Sequence, residues 1–384
     1  MKEILLFEGR LFKKSWGFYV MLLAFFALGL LTAEAANFPF PDVHRNSPYI
    51  ISYVIALFSQ ISIFSVTILA AQVLLREKDA NFQQVLYSTP VKKNELLVSR
   101  FLLIAGIATL LFLMLVAGLM AGHSLSAANS DDTGPFRLWY YIQPFLLFGL
   151  PNTVLCAGVI CLAGWLSKNK LMIYLSGLLI YVLYIVVSIF SNSPLMATAS
   201  PVSNESMAIA ARIDPFGLAA LYEQTRYWAP VDRNTRLIAF SGAVLINRVV
   251  WAIASLVFLL IGILSFRFST ANKRGRKKTE PTFKEGAAAQ QFKPVPAHTG
   301  TRAHRLQTIV SFIKIDLKSI VKSIPFTLVC LAWVFLLGME IYGTIEGGIR
   351  LPQRYVTTGL MVNTILKTIP FFCLMAILFY SNDI

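Results

Sequence analysis

Charge is what this sequence has least of. Asp, Glu, Lys and Arg make up 14% of its 384 residues, whereas 56% are hydrophobic. A soluble chain carries about a quarter charged residues. The deficit excludes an ordinary soluble enzyme and places the chain among polytopic membrane proteins. Catalytic motifs are missing too. There is no G-x-x-x-x-G-K-[S/T], H-E-x-x-H, C-x-x-C or G-x-S-x-G, so no phosphate-cradling loop, zinc helix, paired thiol or nucleophile elbow is expected. Cys156, Cys161, Cys330 and Cys373 all sit in apolar runs and read as small buried hydrophobes. His44, His123, His298 and His304 are scattered and read as surface residues. The chain is expected to be neither an enzyme nor the holder of a metal or cofactor.

The charge that is present has a pattern. Net charge is +15. Lys and Arg concentrate in 1–15, 76–100, 167–170 and 269–324, while the intervening loops carry Arg and acids but no Lys. This positive-inside asymmetry puts the N-terminus in the cytosol. The cations flank apolar runs and form no separate basic domain, so the lipid membrane is the expected partner and nucleic acid is not.

Residues 1–15 form an amphipathic start, with Ile4, Phe7 and Leu11 on one side and Lys2, Arg10, Lys13 and Lys14 elsewhere. Apolar runs then predict spans at Trp16–Ala36, Ile50–Leu75, Phe101–Ala121, Ile142–Leu166, Leu171–Phe190 and Val249–Phe268. Ala33-Glu34-Ala35 mimics a signal-peptidase site, but the acidic, amphipathic lead favours an uncleaved first span. Pro144, Gly149 and Pro151 predict kinks in the fourth span. The aromatic stretch before span six predicts short interfacial or re-entrant helices. Span interiors lack ionisable groups, so an ion-coupled carrier is disfavoured. Gln60, Gln72, Gln143 and Asn152 read as interhelical hydrogen-bond partners. Tyr174, Tyr181 and Tyr184 fall on one side of span five and read first as packing residues.

Residues 269–304 lack a hydrophobic period and read as a disordered basic cytosolic linker. An amphipathic basic segment at Ile309–Ser323, a span at Pro325–Tyr342 and an apolar run from Val356 then repeat the order of residues 1–75. The last run is too short for a full span, which is expected if the sequence is a piece of a longer protein. The expected class is all-α: a six-span unit at 1–268, the linker at 269–304, and the start of a second elbow-plus-two-span repeat at 305–384.

The charged island Arg76–Arg100 separates two long apolar runs. Pro90 ends a short helix over Ala80–Tyr87, and Asn94 is placed to cap the next. That first helix presents Phe82, Val85 and Leu86 as an apolar edge, and the pattern Arg76-Glu77, Phe82, Leu86, Ser88-Thr89-Pro90-Val91 and Glu95-Leu96 resembles the inner loop between spans two and three in type-2 ABC exporter permeases. The outer pattern Asp214-Pro215-Phe216-Gly217, Tyr227-Trp228 and Asn247-Arg248 is similar to long bacterial permeases whose two halves precede an aminopeptidase-like domain. The resemblance covers residues 1–270. It implies a multi-pass protein of the bacterial cytoplasmic membrane, a second permease half, and a separate ABC-type ATPase that supplies ATP and magnesium chemistry and docks on the island. A membrane scaffold that moves no cargo, using the same loop for docking, fits the same residues.

Overall fold

The computed structural model describes residues 2–35, 42–80, 82, 86, 88–127, 133–190, 204–266 and 302–322, with short pieces between 326 and 366. Every regular element among them is helical. An amphipathic helix, α1 (Lys2–Lys14), turns at Ser15 into the apolar helix α2 (Trp16–Ala35). The second apolar stretch is broken into α3 (Pro48–Phe58) and α4 (Ile61–Leu74). A single turn, α5 (Arg76–Asp79), opens the island, and α6 (Lys93–Ala127) leaves it. The next crossing comprises α7 (Trp139–Pro144), a π-helical turn at Phe145–Gly149, and α8 (Leu150–Ser167). Then come α9 (Lys170–Phe190), the short helices α10 (Asn204–Ile213), α11 (Leu218–Thr225) and α12 (Pro230–Thr235), and the apolar α13 (Gly242–Ser265). Beyond them lies α14 (Arg302–Val321).

Among the described residues, five helical stretches are long and apolar enough to cross a membrane: Trp16–Ala33, Pro48–Leu74, Lys93–Leu125, Trp139–Ser167 and Gly242–Ser265. Lys170–Ile185 is a shorter apolar helix. The bundle is organised around α4, where every residue from Ile61 to Leu74 is buried except Gln72. It packs against α6, α8 and α9. Its hydroxyls are satisfied within the apolar interior: Thr67 donates to the Ile63 carbonyl at 2.6 Å, and Ser62 pairs with Thr153 at 3.0 Å.

The most extensive helix pair among the described residues is α2 with α6, and glycine lets the two backbones meet. Gly29 lies against the backbone of Leu115 and Leu119, and Gly118 lies against the Phe26 carbonyl. A methyl group at either position would overlap those atoms. Gly118 and Gly122 form a G-x-x-x-G step, and in lipid such small residues let backbones meet where hydrophobicity cannot drive association.

Several boundaries differ from expectation. The second span is interrupted at Ser59–Gln60, where Ser59 Oγ bonds back to the Ala56 carbonyl at 2.6 Å. The irregularity expected from Pro144, Gly149 and Pro151 is a π turn at Phe145–Gly149, directly after Pro144. Helix α6 starts at Lys93, so Asn94 sits inside it and is not its cap. Helix α13 begins at Gly242, earlier than the predicted start at Val249, which carries Asn247 and Arg248 into an apolar helix. His123, read as a surface residue, is buried and pairs with the Tyr141 hydroxyl at 3.0 Å. Residues 302–304, placed in the linker, belong to α14. The rest of the linker, and most of the seventh and eighth predicted spans, lie outside the described residues.

Candidate functional site

Helix α1 and the island meet at one end of the bundle and enclose a groove of ≈ 470 Å³. Its walls are mostly apolar: Ile4, Phe7 and Leu11 from α1, and Phe82, Leu86, Val91 and Leu96 from the island and the start of α6. Phe7 is 63% exposed and Phe82 is 49% exposed. Large apolar side chains left exposed in a concave surface are a recognised sign of a binding site.

Charge organises the bottom of the groove. Arg100 is buried and bridges two carboxylates. Its Nε donates to Glu8 Oε1 at 3.3 Å, and its Nη2 donates to Glu77. Burial pushes the Glu8 carboxyl above the ordinary carboxylate range, and the guanidinium groups of Arg100 and Arg76 pull it back in part. The second Glu8 oxygen, Oε2, is buried without a hydrogen-bond partner. The island is also tied to the rest of the bundle. The Arg76 guanidinium lies over the Phe12 ring at 5.7 Å. Lys78 Nζ donates to the Lys168 carbonyl at 2.7 Å, and Asp79 pairs with Lys170 at 2.9 Å. Lys168 closes α8 in the left-handed region, and its burial lowers the affinity of its amine for a proton. The island thus touches α1, α6 and the α8–α9 turn together.

The predicted island residues divide by role. Arg76 and Glu77 face inward and hold the island in place. Phe82 and Leu86 line the groove. The Phe82 amide donates to the Glu77 carbonyl at 2.8 Å, and the Leu86 amide to the Phe82 carbonyl at 3.1 Å. Ser88, Thr89 and Pro90 are exposed at the turn, where Thr89 N donates to the Leu86 carbonyl at 3.2 Å. Glu95 is half-buried on the first turn of α6. Val85 lies outside the described residues. Glu8 and Arg100 belong to the site although the sequence pattern of the island does not include them. The available signal was an acid on the same helical side as Phe7 and Leu11, and an arginine directly before an apolar run.

The predicted outer residues gather at the opposite end, most of them into one buried polar cluster. Asp214 Oδ1 accepts from Phe216 N at 2.9 Å, and its Oδ2 accepts from Ala219 N at 2.7 Å, which caps α11. Burial raises the Asp214 carboxyl above its ordinary range, and the amides of Ala219 and Phe216 and the Arg248 charge counter this in part. Asn247 donates to the Ala211 and Asp214 carbonyls at 2.9 and 2.7 Å. Arg248 donates from Nε to Asn247 at 3.0 Å and from Nη1 to Asn152 at 2.8 Å. Arg248 Nη2 also approaches the Pro215 carbonyl at 3.4 Å. Asn152 donates in turn to Ser59 at 2.7 Å, at the break between α3 and α4. Phe216 stacks edge-on against Tyr184 at 4.7 Å. Gly217 has φ +79, and a side chain there would collide with the Arg248 guanidinium. The motif is therefore a clamp that locks α10 and α11 onto the bundle. Tyr227 and Trp228 stand apart from it, stacked under Arg226 and Arg236.

Among the described residues no group of three His, Cys, Asp or Glu is placed to hold a metal ion. No protein-family model, curated protein or solved structure shows a significant match to the chain. What fold and sites define is a class: an all-helical protein with several helices able to cross a membrane, a charged-floor groove at one end and a polar clamp at the other.

Proposed function

We propose that this chain is the membrane-spanning subunit of an ATP-driven exporter of the type-2 ABC kind, and that the groove between α1 and the island receives a helix of a separate ATPase. The observation that carries this reading is the groove itself. An apolar slot with half-exposed Phe7 and Phe82, ringed by charge, suits an amphipathic partner helix. The same island grips three other parts of the bundle, so a push on Phe82 and Leu86 would reach α1, α6 and the α8–α9 turn. The resemblance of Arg76–Glu95 to the inner loop of such permeases adds the partner's identity. On this reading the elbow end faces the cytosol of a bacterial inner membrane. ATP and magnesium are bound by the partner, and a second permease half completes the pathway.

A photo-crosslinking residue at position 82, introduced in the cells that make the protein, tests the partner directly. The expected adduct is a P-loop ATPase. Adducts confined to lipid or to other copies of the chain would refute it. Purified ATPase whose turnover is unchanged by adding the chain would favour the scaffold alternative.

A further inference from the structure

A second cavity, of ≈ 370 Å³, lies beside the docking groove where α1, α4, α5 and α9 converge. Its polar lining is Arg76, which it shares with the groove, together with Lys170, Asp79, Gln72 and Ser15. Its other wall is apolar, formed by Leu11, Ile68 and Ala71. We propose that this cavity binds the phosphodiester of an anionic phospholipid, with the first acyl carbons against the apolar wall.

Level comes first. Ser15 precedes the first apolar helix, Arg76 follows the stretch Pro48–Leu74, and Lys170 opens the apolar helix α9 after the stretch Trp139–Ser167. All three mark where apolar helices end, which is the headgroup level of a bilayer. Charge is the second argument. Arg76 and Lys170 face one acid, Asp79, which pairs with Lys170 at 2.9 Å. The lining therefore keeps one positive charge in excess, matching one phosphodiester. Arg76 is held by the Phe12 ring rather than by a carboxylate contact, so its donors stay available to a bound anion. Gln72 is the third argument. It is the one residue of α4 that is not buried, and it is an amide on an otherwise apolar helix end. Basic pockets between membrane helices at the headgroup level commonly hold anionic lipid headgroups. A pocket of a few hundred cubic ångströms suits such a group. The site stands whether or not an ATPase docks in the neighbouring groove.

Native mass spectrometry of the full chain, titrated with phosphatidylglycerol or phosphatidylcholine, tests this. Phosphatidylglycerol is expected to bind about tenfold tighter than phosphatidylcholine, with Arg76→Gln and Lys170→Gln each weakening it about tenfold. Gln72→Leu, which keeps the helix apolar and all charges in place, is expected to weaken it about fivefold. This last variant decides the matter if loss of Arg76 disturbs the fold. Equal binding of the two lipids, or phosphatidylglycerol binding untouched by Gln72→Leu and Lys170→Gln, would overturn the proposal. Displacement of the lipid by millimolar inorganic phosphate would show a soluble-anion site and would equally overturn it.

Discussion

Arg100 and Glu8, separated by 92 positions, form an ion pair at 3.3 Å with side chains only 7% and 8% exposed. This contact fixes the elbow helix to the start of α6. It also orients the island, because the same guanidinium holds Glu77.

Removing the cation should therefore be costly. Arg100→Met leaves two carboxylates with no counter-charge between them and is expected to lose about 3–5 kcal/mol of stability. Thermal unfolding in detergent would measure it. The triple variant Glu8→Gln, Glu77→Gln, Arg100→Met should recover most of the loss, since uncharged replacements of a buried ionic network are often tolerated. A single Arg100→Met variant as stable as the parent would show that the network has no structural role.

The sign of the Glu8 shift gives a pH dependence. Its proton affinity is raised in the folded protein, so the folded state holds the proton more tightly than the unfolded state. Glu8 then contributes most below the ordinary carboxylate pKa, and its contribution falls as pH rises through the raised folded value. Compared with Glu8→Gln, the parent should gain stability as the solution is acidified from neutrality toward the ordinary carboxylate range. A difference in melting temperature that stays flat over that window would contradict this.

The α2–α6 contact should tolerate no added volume. Gly118→Leu, or Gly29→Val, forces the two backbones apart and is expected to cost about 1–3 kcal/mol or more by overpacking. Gly106→Ala on the same α6, where a methyl group meets nothing within 4 Å, should be neutral or mildly stabilising. Melting temperatures of the three variants side by side provide the check.

At the clamp, Arg248→Met strands the carbonyl oxygens of Asn247 and Asn152, and Gly217→Ala strains a left-handed residue against the guanidinium. Both should loosen α10 and α11 before the rest of the bundle. Hydrogen exchange is expected to accelerate in residues 204–225 and stay unchanged around Gly29 and Gly118. Uniform acceleration throughout would mean the clamp supports the whole fold.

Much of this architecture is legible in the sequence, because apolar runs of about 20 residues report on lipid without any knowledge of neighbours. The first span matches α2 nearly to the residue. Pro144, Gly149 and Pro151 foretell an irregular helix, and the short helices α10, α11 and α12 follow from an aromatic, semi-apolar stretch. The hidden features all depend on partners far along the chain. Arg248 follows a stretch that reads as loop, and its burial is made tolerable by the amide oxygens of Asn247 and Asn152 and by the charge of Asp214. His123 stands next to a polar loop, yet the Tyr141 hydroxyl draws it inside. Glu8 falls on the apolar side of an amphipathic helix, and its charge partner Arg100 stands 92 positions away. At the groove, Phe82 and Leu86 were visible as an apolar edge, whereas α1 as the opposite wall was not.

The most direct measurement is affinity purification of the tagged chain from its own cells in mild detergent, comparing the parent with Phe82→Ala and with Phe240→Ala. Phe240 is similarly exposed but lies in the 236–241 segment that joins α12 to α13. The expected result is a P-loop ATPase that copurifies with the parent and with Phe240→Ala, and is depleted about tenfold or more with Phe82→Ala, as for a buried aromatic anchor. An intact, folded parent that brings down no ATPase, or one whose ATPase is indifferent to Phe82, would contradict the docking groove and the exporter reading built on it.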